Sequence, residues 1–317
     1  MAPVNLLIVG AGSRGTGYAS YAAAHPDEVQ IVGVAEPREI YRQRLIDEYS
    51  IAPENVFADW RAAAAVEKFA DAVVVGTQDA MHVEPAEAFA AKGYHMLLEK
   101  PMAPDEEGCR RIHQAVKTAG VMLAVCHVVR YTTVTQKIKQ LLDQGAIGDI
   151  VSVQRLEPVG YWHQAHSFVR GNWRNEAESS AMLLAKSCHD VDWLRYILGV
   201  PCKKVSSFGN LKHFRAEQKP AGAAARCLDC DLASECAYAA QKIYLGRVRD
   251  GQTGWPVDVL TPDVDEEAVL QALREGPYGR CVYDCDNDVV DHQVVNFLFE
   301  SGATAAFTMT AFARGRG

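Results

Sequence analysis

The 317-residue chain lacks the features of several protein classes. Its longest apolar runs, such as residues 119–126, reach only about ten residues, whereas a membrane helix needs about 18. Basic residues are not in excess: 32 Lys and Arg against 40 Asp and Glu give a net charge of −8. Internal repeats and low-complexity tracts are also missing from the sequence. We therefore expect a globular protein with neither a membrane nor a nucleic-acid partner.

The N-terminus lacks the basic segment of a signal peptide. It reads MAPVNLLIVGAG, an apolar stretch that runs into a glycine-rich turn, which predicts a first core strand and a cytoplasmic protein. The cysteine count is nine, an odd number, so a disulfide framework is not expected in a reducing compartment. At about 150 residues per domain, the length predicts two domains.

The first region, residues 1–126, alternates short apolar runs with helical patterns. Apolar runs, each read as a strand, lie at residues 4–9, 29–35, 71–76, 94–98 and 120–126, with helical patterns that include residues 38–49, 82–92 and 105–119. Continuous apolar runs are typical of strands that are covered on both faces. This alternation predicts an α/β fold in which a doubly wound parallel sheet forms an N-terminal NAD-binding Rossmann domain.

The second region, residues 127–317, has a different pattern and predicts an α/β domain for substrate binding and oligomerisation. Helices are expected at 134–143 and near 188–198, and strands at 150–156, 204–210, 289–299 and 303–312. Long connections between these strands favour an open mixed or antiparallel sheet. Residues 215–285 form a Cys-rich insertion of weak periodicity, which we expect to need a staple to be ordered.

A glycine-rich turn follows the first predicted strand. Residues 10–15 are a GxGxxG that opens a helix, which is the context that a dinucleotide site requires. Glu36 ends the second strand, where an acidic side chain accepts hydrogen bonds from ribose hydroxyls and repels a 2′-phosphate. The sequence thus predicts NAD, with NADP less favoured although Arg38 could reach a phosphate; a tight turn without a ligand is the alternative. The expected cofactor contacts here are Gly10, Gly12, Ser13, Arg14, Gly15, Glu36 and Arg38.

Glu99-Lys100-Pro101 follows a further buried strand. Ligands of doubly wound sheets bind at the carboxyl ends of the strands, so Lys100 is expected at the ligand edge, unless it is a surface lysine in a turn. A lysine at that edge can hydrogen-bond a reacting oxygen and stabilise a developing alkoxide. Thr77, Gln78 and His82 follow another strand, and we place them with Glu99 and Lys100 on the cofactor side.

These motifs resemble the Gfo/Idh/MocA family of NAD(P)-dependent sugar and inositol oxidoreductases. The resemblance covers nearly the whole chain and includes VVVGTQDAMH at 73–82, EKPMA at 99–103, GAIGDIVSV at 145–153 and a motif around 185–192. It implies that Lys100 lies by the nicotinamide and the reacting hydroxyl. It also implies an open C-terminal sheet that forms a wall of the active site and often the oligomer interface, and family members continue past the last predicted strand.

The family's Asp-x-x-x-His motif supplies a general base, and its histidine corresponds to His189. The aspartate of the motif is replaced here by Ala185, so Asp192, Asp190 or a residue elsewhere must orient the histidine if anything does. Lys186 adds a cation that can hold substrate oxygens. We therefore assign Lys100, His189 and Lys186 to catalysis; a structural role for His189 is the alternative.

Residues 160–174 concentrate aromatic and polar groups. Aromatic faces stack on the C–H surfaces of sugars, and polar side chains hydrogen-bond hydroxyls, although the same residues could plug a domain interface. The predicted substrate contacts are Tyr131, Trp162, His163, His166, Arg170, Trp173 and His292. For His292, which lies beside Asp291, a paired surface cluster is an equally good interpretation.

A cysteine cluster marks the insertion. Cys227, Cys230 and Cys236 have a spacing at which thiolates share one metal ion, and Cys281 or Cys285 can supply a fourth ligand. The sequence thus predicts a structural zinc ion on Cys227, Cys230, Cys236 and Cys281, with an iron–sulfur cluster or free thiols as alternatives.

The function predicted from the sequence is NAD-dependent oxidation or reduction of a secondary hydroxyl of a sugar, glycoside or inositol. The partners are a small carbohydrate or polyol and further copies of the chain, as a dimer or tetramer through the C-terminal sheet. One alternative is a hydrolase or lyase with resident NAD that oxidises a sugar carbon transiently. A second is a non-catalytic regulator that binds NAD, because a fold does not establish a function.

Overall fold

The computed structural model describes residues 2–315, which divide into two compact units. The division falls between Cys126 and His127, where the sequence places the domain boundary. Each unit has its own sheet and its own buried core. Among the described residues, no helix has the length and apolar character needed to cross a bilayer.

The first unit is built on parallel strands. They are β1 (Val4–Val9), β2 (Val29–Ala35), β3 (Val56–Phe57), β4 (Ala72–Val75), β5 (His95–Leu98) and β6 (Leu123–Val125). Its helices are α1 (Ser13–Ala24), α2 (Glu39–Tyr49), α3 (Trp60–Ala65), α4 (Val83–Ala91) and α5 (Glu106–Ala119). All strand pairs are parallel, in the order β3-β2-β1-β4-β5-β6. This confirms the predicted doubly wound α/β sheet, whose strand order reverses between β1 and β4.

The central strands of this sheet are buried on both faces. In β1, Leu7 and Val9 pack into one apolar cluster and Ile8 packs into another. In β4, Val73 and Val74 divide between the same two clusters. Burial on both faces explains why these strands have no polar alternation in the sequence.

The second unit contains a mixed sheet. Its strands are β7 (Ser152–Gly160), β8 (Cys202–Asn210), β9 (His292–Phe299) and β10 (Thr304–Ala313), in the order β7-β10-β9-β8. Its helices are α6 (Thr133–Asp143), α7 (Tyr161–His163), α8 (Met182–Ala185), α9 (Cys188–Leu198), α10 (Gly246–Arg249) and α11 (Glu266–Glu275). Strand β10 is parallel to β7 and antiparallel to β9, which confirms the mixed sheet.

The two faces of this sheet differ. On one face, Val295, Phe307 and Met309 are buried in a cluster that also contains residues of α9. On the other face, Phe208 is 72% exposed and Leu156 is 56% exposed. The second face therefore leaves large apolar side chains in contact with solvent.

The Cys-rich insertion has an apolar core of its own. Ile243, Tyr244, Val269 and Leu273 are buried there, the last two on helix α11. Sequence reasoning missed this core because its apolar residues come from several short segments that show no common period. Residues 215–285 therefore have apolar packing that the sequence analysis did not expect.

Candidate functional site

The turn after β1 requires glycine at two positions. Gly10 has a φ of +91°, and a Cβ atom there would lie 2.6 Å from the carbonyl oxygen of Gly76. A Cβ atom on Gly15 would lie 1.9 Å from the carbonyl oxygen of Gly10. Helix α1 begins at Ser13, and Gly12 before it provides no side-chain cap. The N-terminus of α1 is therefore open to an anionic group, as in phosphate-binding turns.

Glu36 closes one side of this turn. It follows β2, is 2% exposed, and accepts hydrogen bonds from the backbone amide of Ala11 (2.8 Å) and from Nε of Arg38 (2.7 Å). Burial alone would raise the pKa of Glu36, but hydrogen bonds from the Arg38 side chain and from the backbone amides of Arg38 and Ala11 outweigh burial and lower the pKa. The predicted ribose-binding carboxylate is thus ionised and held against the glycine turn.

Glu99 links helix α1 to the segment after β5. Its Oε1 accepts hydrogen bonds from Nε of Arg14 (2.6 Å) and from the hydroxyl of Tyr18 (2.8 Å), while Oε2 accepts one from the amide of Lys100 (2.9 Å). Arg14 and Glu99 were both predicted to contact the cofactor, and the structure pairs them with each other. Tyr18 was missed because nothing in its helical pattern marks it as a partner of Glu99. The hydrogen bond from the amide of Lys100 to Glu99 holds the backbone at that position.

His82 has a different role from the predicted one. It is fully buried, with Nδ1 2.8 Å from the carbonyl oxygen of Pro101 and Nε2 3.2 Å from that of Thr77. A neutral ring has one N–H, which donates to one of these carbonyl oxygens and so braces a segment that follows β4 or β5. Thr77 and Gln78 remain partly exposed at the carboxyl edge of the sheet. The expectation that His82 faces a cofactor is corrected to a positioning role.

In the second unit, His189 lies in the first turn of α9 and forms a pair with His127. The two rings meet edge to face, with centroids 6.1 Å apart. Nε2 of His127 lies 4.0 Å from Oδ1 of Asp192, and Asp192 in turn accepts two hydrogen bonds from the guanidinium of Arg130. Asp192, one of the two carboxylates named as substitutes for the missing motif aspartate, therefore lies near His127. Sequence reasoning missed His127, since a single histidine after a strand carries no motif.

Four charged side chains form two ion pairs, in which the carboxylates Glu157 and Asp190 are buried and the cations are partly exposed. Lys186 donates to Glu157 (Nζ to Oε1, 2.5 Å), and Arg155 donates to Asp190 (Nε to Oδ1, 2.7 Å). Burial, and next the nearby Glu157, raise the pKa of Asp190. Arg155 and Glu157 lie two residues apart on β7, so both point to the same, inner face of the sheet. Charged residues at inward positions of a strand are a signal that the sequence analysis did not use.

Two family models match the chain. Residues 4–127 match an oxidoreductase family with an NAD-binding Rossmann fold, and residues 135–229 match the GFO/IDH/MocA C-terminal domain. The chain belongs to the Gfo/Idh/MocA oxidoreductase family. The predicted family resemblance is thus confirmed.

Similar proteins include enzymes with different reactions. A 2,7-anhydro-N-acetylneuraminate hydratase of Escherichia coli (strain K12) is 28% identical over 213 residues, which are 66% of this chain and 54% of the relative. An inositol 2-dehydrogenase of Streptomyces avermitilis is 28% identical over 199 residues, 62% of this chain and 53% of the relative. The chain therefore spans about half the length of these curated relatives.

A solved structure supports the fold. The WlbA dehydrogenase of Chromobacterium violaceum, determined in complex with NADH and UDP-GlcNAcA, matches with a TM-score of 0.67 at 15% identity. The match covers 100% of this chain and 69% of that one. At this identity the likeness concerns the Gfo/Idh/MocA fold alone.

Two of the predicted substrate contacts are buried. His166 is 2% exposed, accepts or donates a hydrogen bond at Nδ1 to the hydroxyl of Tyr244 (2.9 Å), and stacks on Tyr278. Burial lowers the pKa of His166 to about 3, so the ring is neutral at ordinary pH. Arg170 is 1% exposed and donates to backbone carbonyls. The expectation that these two residues contact substrate is corrected, because the turn Gln164–Arg170 is buried throughout.

The other predicted contacts are more accessible. Trp162 and His163 gather around the half-exposed Trp255, with ring centroids 5.2 Å and 4.9 Å from it. Tyr131 is exposed, and His292 is bound at Nδ1 to the buried Asp291 (2.7 Å). Trp173, which stacks near Phe168, is partly buried in the core behind the sheet. Substrate contact at Trp162 and His163 stays a prediction.

The cysteines are the last part of the predicted site. Within residues 2–315, no three His, Cys, Asp or Glu side chains are arranged to hold a metal ion. The expected structural zinc centre is therefore not supported by the ligand geometry. All nine cysteines are free of disulfide bonds.

Proposed function

We propose that this member of the Gfo/Idh/MocA family transfers a hydride between NAD and a secondary hydroxyl of a sugar, glycoside or inositol. The observation that carries the proposal is that one Rossmann unit holds both the glycine turn at residues 10–15 and Lys100, each after a parallel strand. The inositol dehydrogenase among the relatives supports the substrate class.

The first unit fits a dinucleotide. A Cβ atom on Gly12 would lie 3.5 Å from Nη2 of Arg38. A phosphate at this turn would therefore have a guanidinium close by. Glu36 supplies the acceptor for ribose hydroxyls, and its ionised state opposes a 2′-phosphate. When bound, NAD supplies the hydride acceptor. We propose that Gly10, Gly12, Ser13, Glu36, Arg38, Thr77 and Gln78 hold it.

The proton of the hydroxyl needs a separate acceptor. We assign that role to His189, whose side chain suits proton transfer near neutral pH. Lys100 follows β5 with its backbone amide fixed by Glu99, and we assign it the hydrogen bond to the reacting oxygen. His127 packs edge to face against His189 and orients it from one side.

Lys186 retains a supporting role in this proposal. Its side chain is 18% exposed, and its ammonium group is held by Glu157 at 2.5 Å. A lysine fixed in this way can present its remaining protons to substrate oxygens but is a poor proton acceptor. Glu157 is therefore a positioning residue for Lys186.

Assembly and location are further parts of the proposal. On the open face of the second sheet, Phe208 lies opposite Val294, and Thr308 of the next strand lies between Val294 and Leu156. Exposed apolar side chains thus lie on three of the four strands, and such a surface is typical of an interface. We propose a homo-oligomer through this face, and a cytoplasmic location remains a prediction from the sequence.

Turnover of a panel of sugars, glycosides and inositols tests the proposal. NADH formation should occur with at least one compound, and Lys100→Met and His189→Asn should each lower its rate by about 10²-fold or more. Binding of NAD, measured by calorimetry, should be unchanged in His189→Asn. Full activity in both variants would contradict the assignment.

The second candidate is an elimination or hydration cycle that uses resident NAD. The hydratase among the relatives favours it. Native mass spectrometry of protein purified without added cofactor separates the two candidates. Retained NAD with no net NADH formation would indicate the resident cycle, whereas loss of NAD on purification would indicate an exchanging dehydrogenase.

A further inference from the structure

A pocket in the second unit is formed by the segment after β7 together with the Cys-rich insertion. Its volume is about 260 Å³, and its lining includes Tyr161 and Trp162 of the segment and Lys242, Arg247 and Asp250 of the insertion. Pockets for small molecules typically enclose about 300–1,000 Å³, so this one suits a molecule of monosaccharide size and is too small for a dinucleotide. No site predicted from the sequence includes its three charged residues.

Two π-helical segments support the pocket. Helix α7 contributes the aromatic residues and continues into the π-helical segment Gln164–Arg170. Lys242 lies in a second such segment, Gln241–Leu245. Helical turns of this type are rare and occur frequently at functional sites. Val169 and Ile243, one from each segment, are buried in the same apolar cluster, so both contributors to the pocket are anchored in one core.

Lys242 brings an ammonium group that is held by neutral acceptors. Its Nζ donates to the carbonyl oxygens of Ser234 (2.6 Å) and Cys236 (3.1 Å). Neither partner is a carboxylate, so these bonds fix the position of the ammonium group without neutralising its charge. An ammonium group has three N–H donors, and two carbonyl partners leave the third for a ligand.

Arg247 adds a second cation in a fixed position. Its guanidinium carbon lies 4.2 Å from the centroid of the Trp162 ring, and its Nη1 donates to the carbonyl oxygen of Ile243 (2.9 Å). A planar guanidinium that is held over an aromatic ring is preorganised, so it loses little further freedom when it pairs with a planar anion. The pocket therefore presents two positioned cations from one stretch of the insertion.

The charges of the lining select for the charge of the ligand. Lys242 and Arg247 are its cations and Asp250 is its carboxylate, which gives an excess of one positive charge in a chain whose net charge is −8. A carboxylate ligand carries one negative charge, whereas a phosphate monoester carries about −1.5 to −2 at pH 7. The balance in the pocket therefore favours a carboxylate over a phosphate.

We propose that this pocket binds a small sugar acid, whose carboxylate pairs with Lys242 and Arg247. Asp250 repels a doubly charged phosphate at the same place. The pocket binds its ligand without forming or breaking a bond. The inference rests on the proposed function in taking the ligand to be a sugar derivative, which is either the substrate itself or a separate effector.

Calorimetry of the full chain with D-glucuronate and with D-glucose tests the inference. We expect glucuronate to bind more tightly by about tenfold, because glucose has a similar ring but no charge. Lys242→Met and Arg247→Met should each weaken glucuronate binding by about tenfold and leave glucose binding unchanged. The matched control is Arg249→Met, which removes a cation of α10 that is paired with Glu266 and is not part of the lining.

Asp250 has its own test with glucose 6-phosphate as the probe. Asp250→Asn removes the repulsion, so the affinity for glucose 6-phosphate should rise by about fivefold. An unchanged affinity would contradict the preference for a carboxylate that we assign to this pocket.

Kinetics separate the two sources of the carboxylate. If a sugar acid is the substrate, Lys242→Met should raise its KM and leave kcat nearly unchanged. If the acid is an effector, glucuronate should change the turnover of a neutral sugar by the wild type and not by Lys242→Met.

Two results would overturn the inference. They are equal affinities of the wild type for glucuronate and glucose, or equal glucuronate binding by the Arg247→Met and Arg249→Met variants. Circular dichroism of each variant establishes that it is folded. Calorimetry requires no turnover, so a protein that binds glucuronate here but oxidises no sugar would contradict the proposed function and not this inference.

Discussion

Two buried carboxylates of the first unit and two cations of the second unit are stabilised differently. In the first unit, Glu36 and Glu99 each accept a hydrogen bond from a backbone amide as well as from an arginine. In the second unit, the partly buried cations Lys186 and Arg155 are paired with carboxylates that lie 29 and 35 residues away. The contrast lies in the kind of partner and not in sequence distance, since Arg14 lies 85 residues from Glu99.

The largest expected effect is in the glycine turn. In Gly15→Ala, the new Cβ would overlap the carbonyl of Gly10, so we expect about 3 kcal/mol of destabilisation and loss of NAD binding. Gly17→Ala is the matched control, because a Cβ on Gly17 meets no atom within 4 Å. Urea denaturation and calorimetry measure both quantities; equal NAD affinity in the two variants would contradict a backbone-determined site.

The buried ion pair of the second unit should give the next effect. Removing one partner leaves the other charge unpaired, so Lys186→Met or Glu157→Leu should each cost about 3 kcal/mol of unfolding free energy. The double variant should cost less than the sum of the two. Additive losses in a double-mutant cycle, measured by urea denaturation, would show that the pair is not coupled.

Glu36 sharpens the comparison through pH. Because its folded pKa lies below the ordinary value of 4.5, the carboxylate adds stability above that value and loses it as pH falls through the folded pKa. Between about pH 6 and about pH 3, the wild type should therefore lose more unfolding free energy than Glu36→Gln. Parallel pH profiles for the two proteins would contradict the role of Glu36.

The same variant should bind NADP better relative to NAD, by about tenfold.

The smallest change in stability is expected on the open face of the second sheet. Phe208 is 72% exposed, so Phe208→Lys should alter the unfolding free energy by about 0.5 kcal/mol or less. The same substitution should dissociate a homo-oligomer that forms through this face. Sedimentation velocity measures the change, with Val205→Lys on the opposite face of β8 as the control. An unchanged oligomer in Phe208→Lys would exclude this interface.

Some site residues could be predicted from the sequence and others could not. The glycine turn was predictable because only glycine fits where two backbone segments lie this close together. Glu36 was predictable because an acidic residue at this spacing follows the second strand of a dinucleotide-binding fold. His166 and Arg170 were misassigned, since polar residues in an aromatic stretch look alike whether they face solvent or a core. The insertion covers both: His166 contacts Tyr244 and Tyr278, and Arg170 contacts Cys227 and Tyr238.

The most direct test of the central claim follows the hydrogen atom itself. Substrates that carry deuterium on the carbinol carbon are incubated with the protein and NAD, and the nicotinamide is then analysed by mass spectrometry. We predict deuterium in the NADH that accumulates or, in a resident cycle, in the fraction of the cofactor that is reduced when turnover is quenched. A protein that binds NAD but transfers no deuterium from any sugar, glycoside or inositol would contradict the oxidoreductase function and favour a regulator.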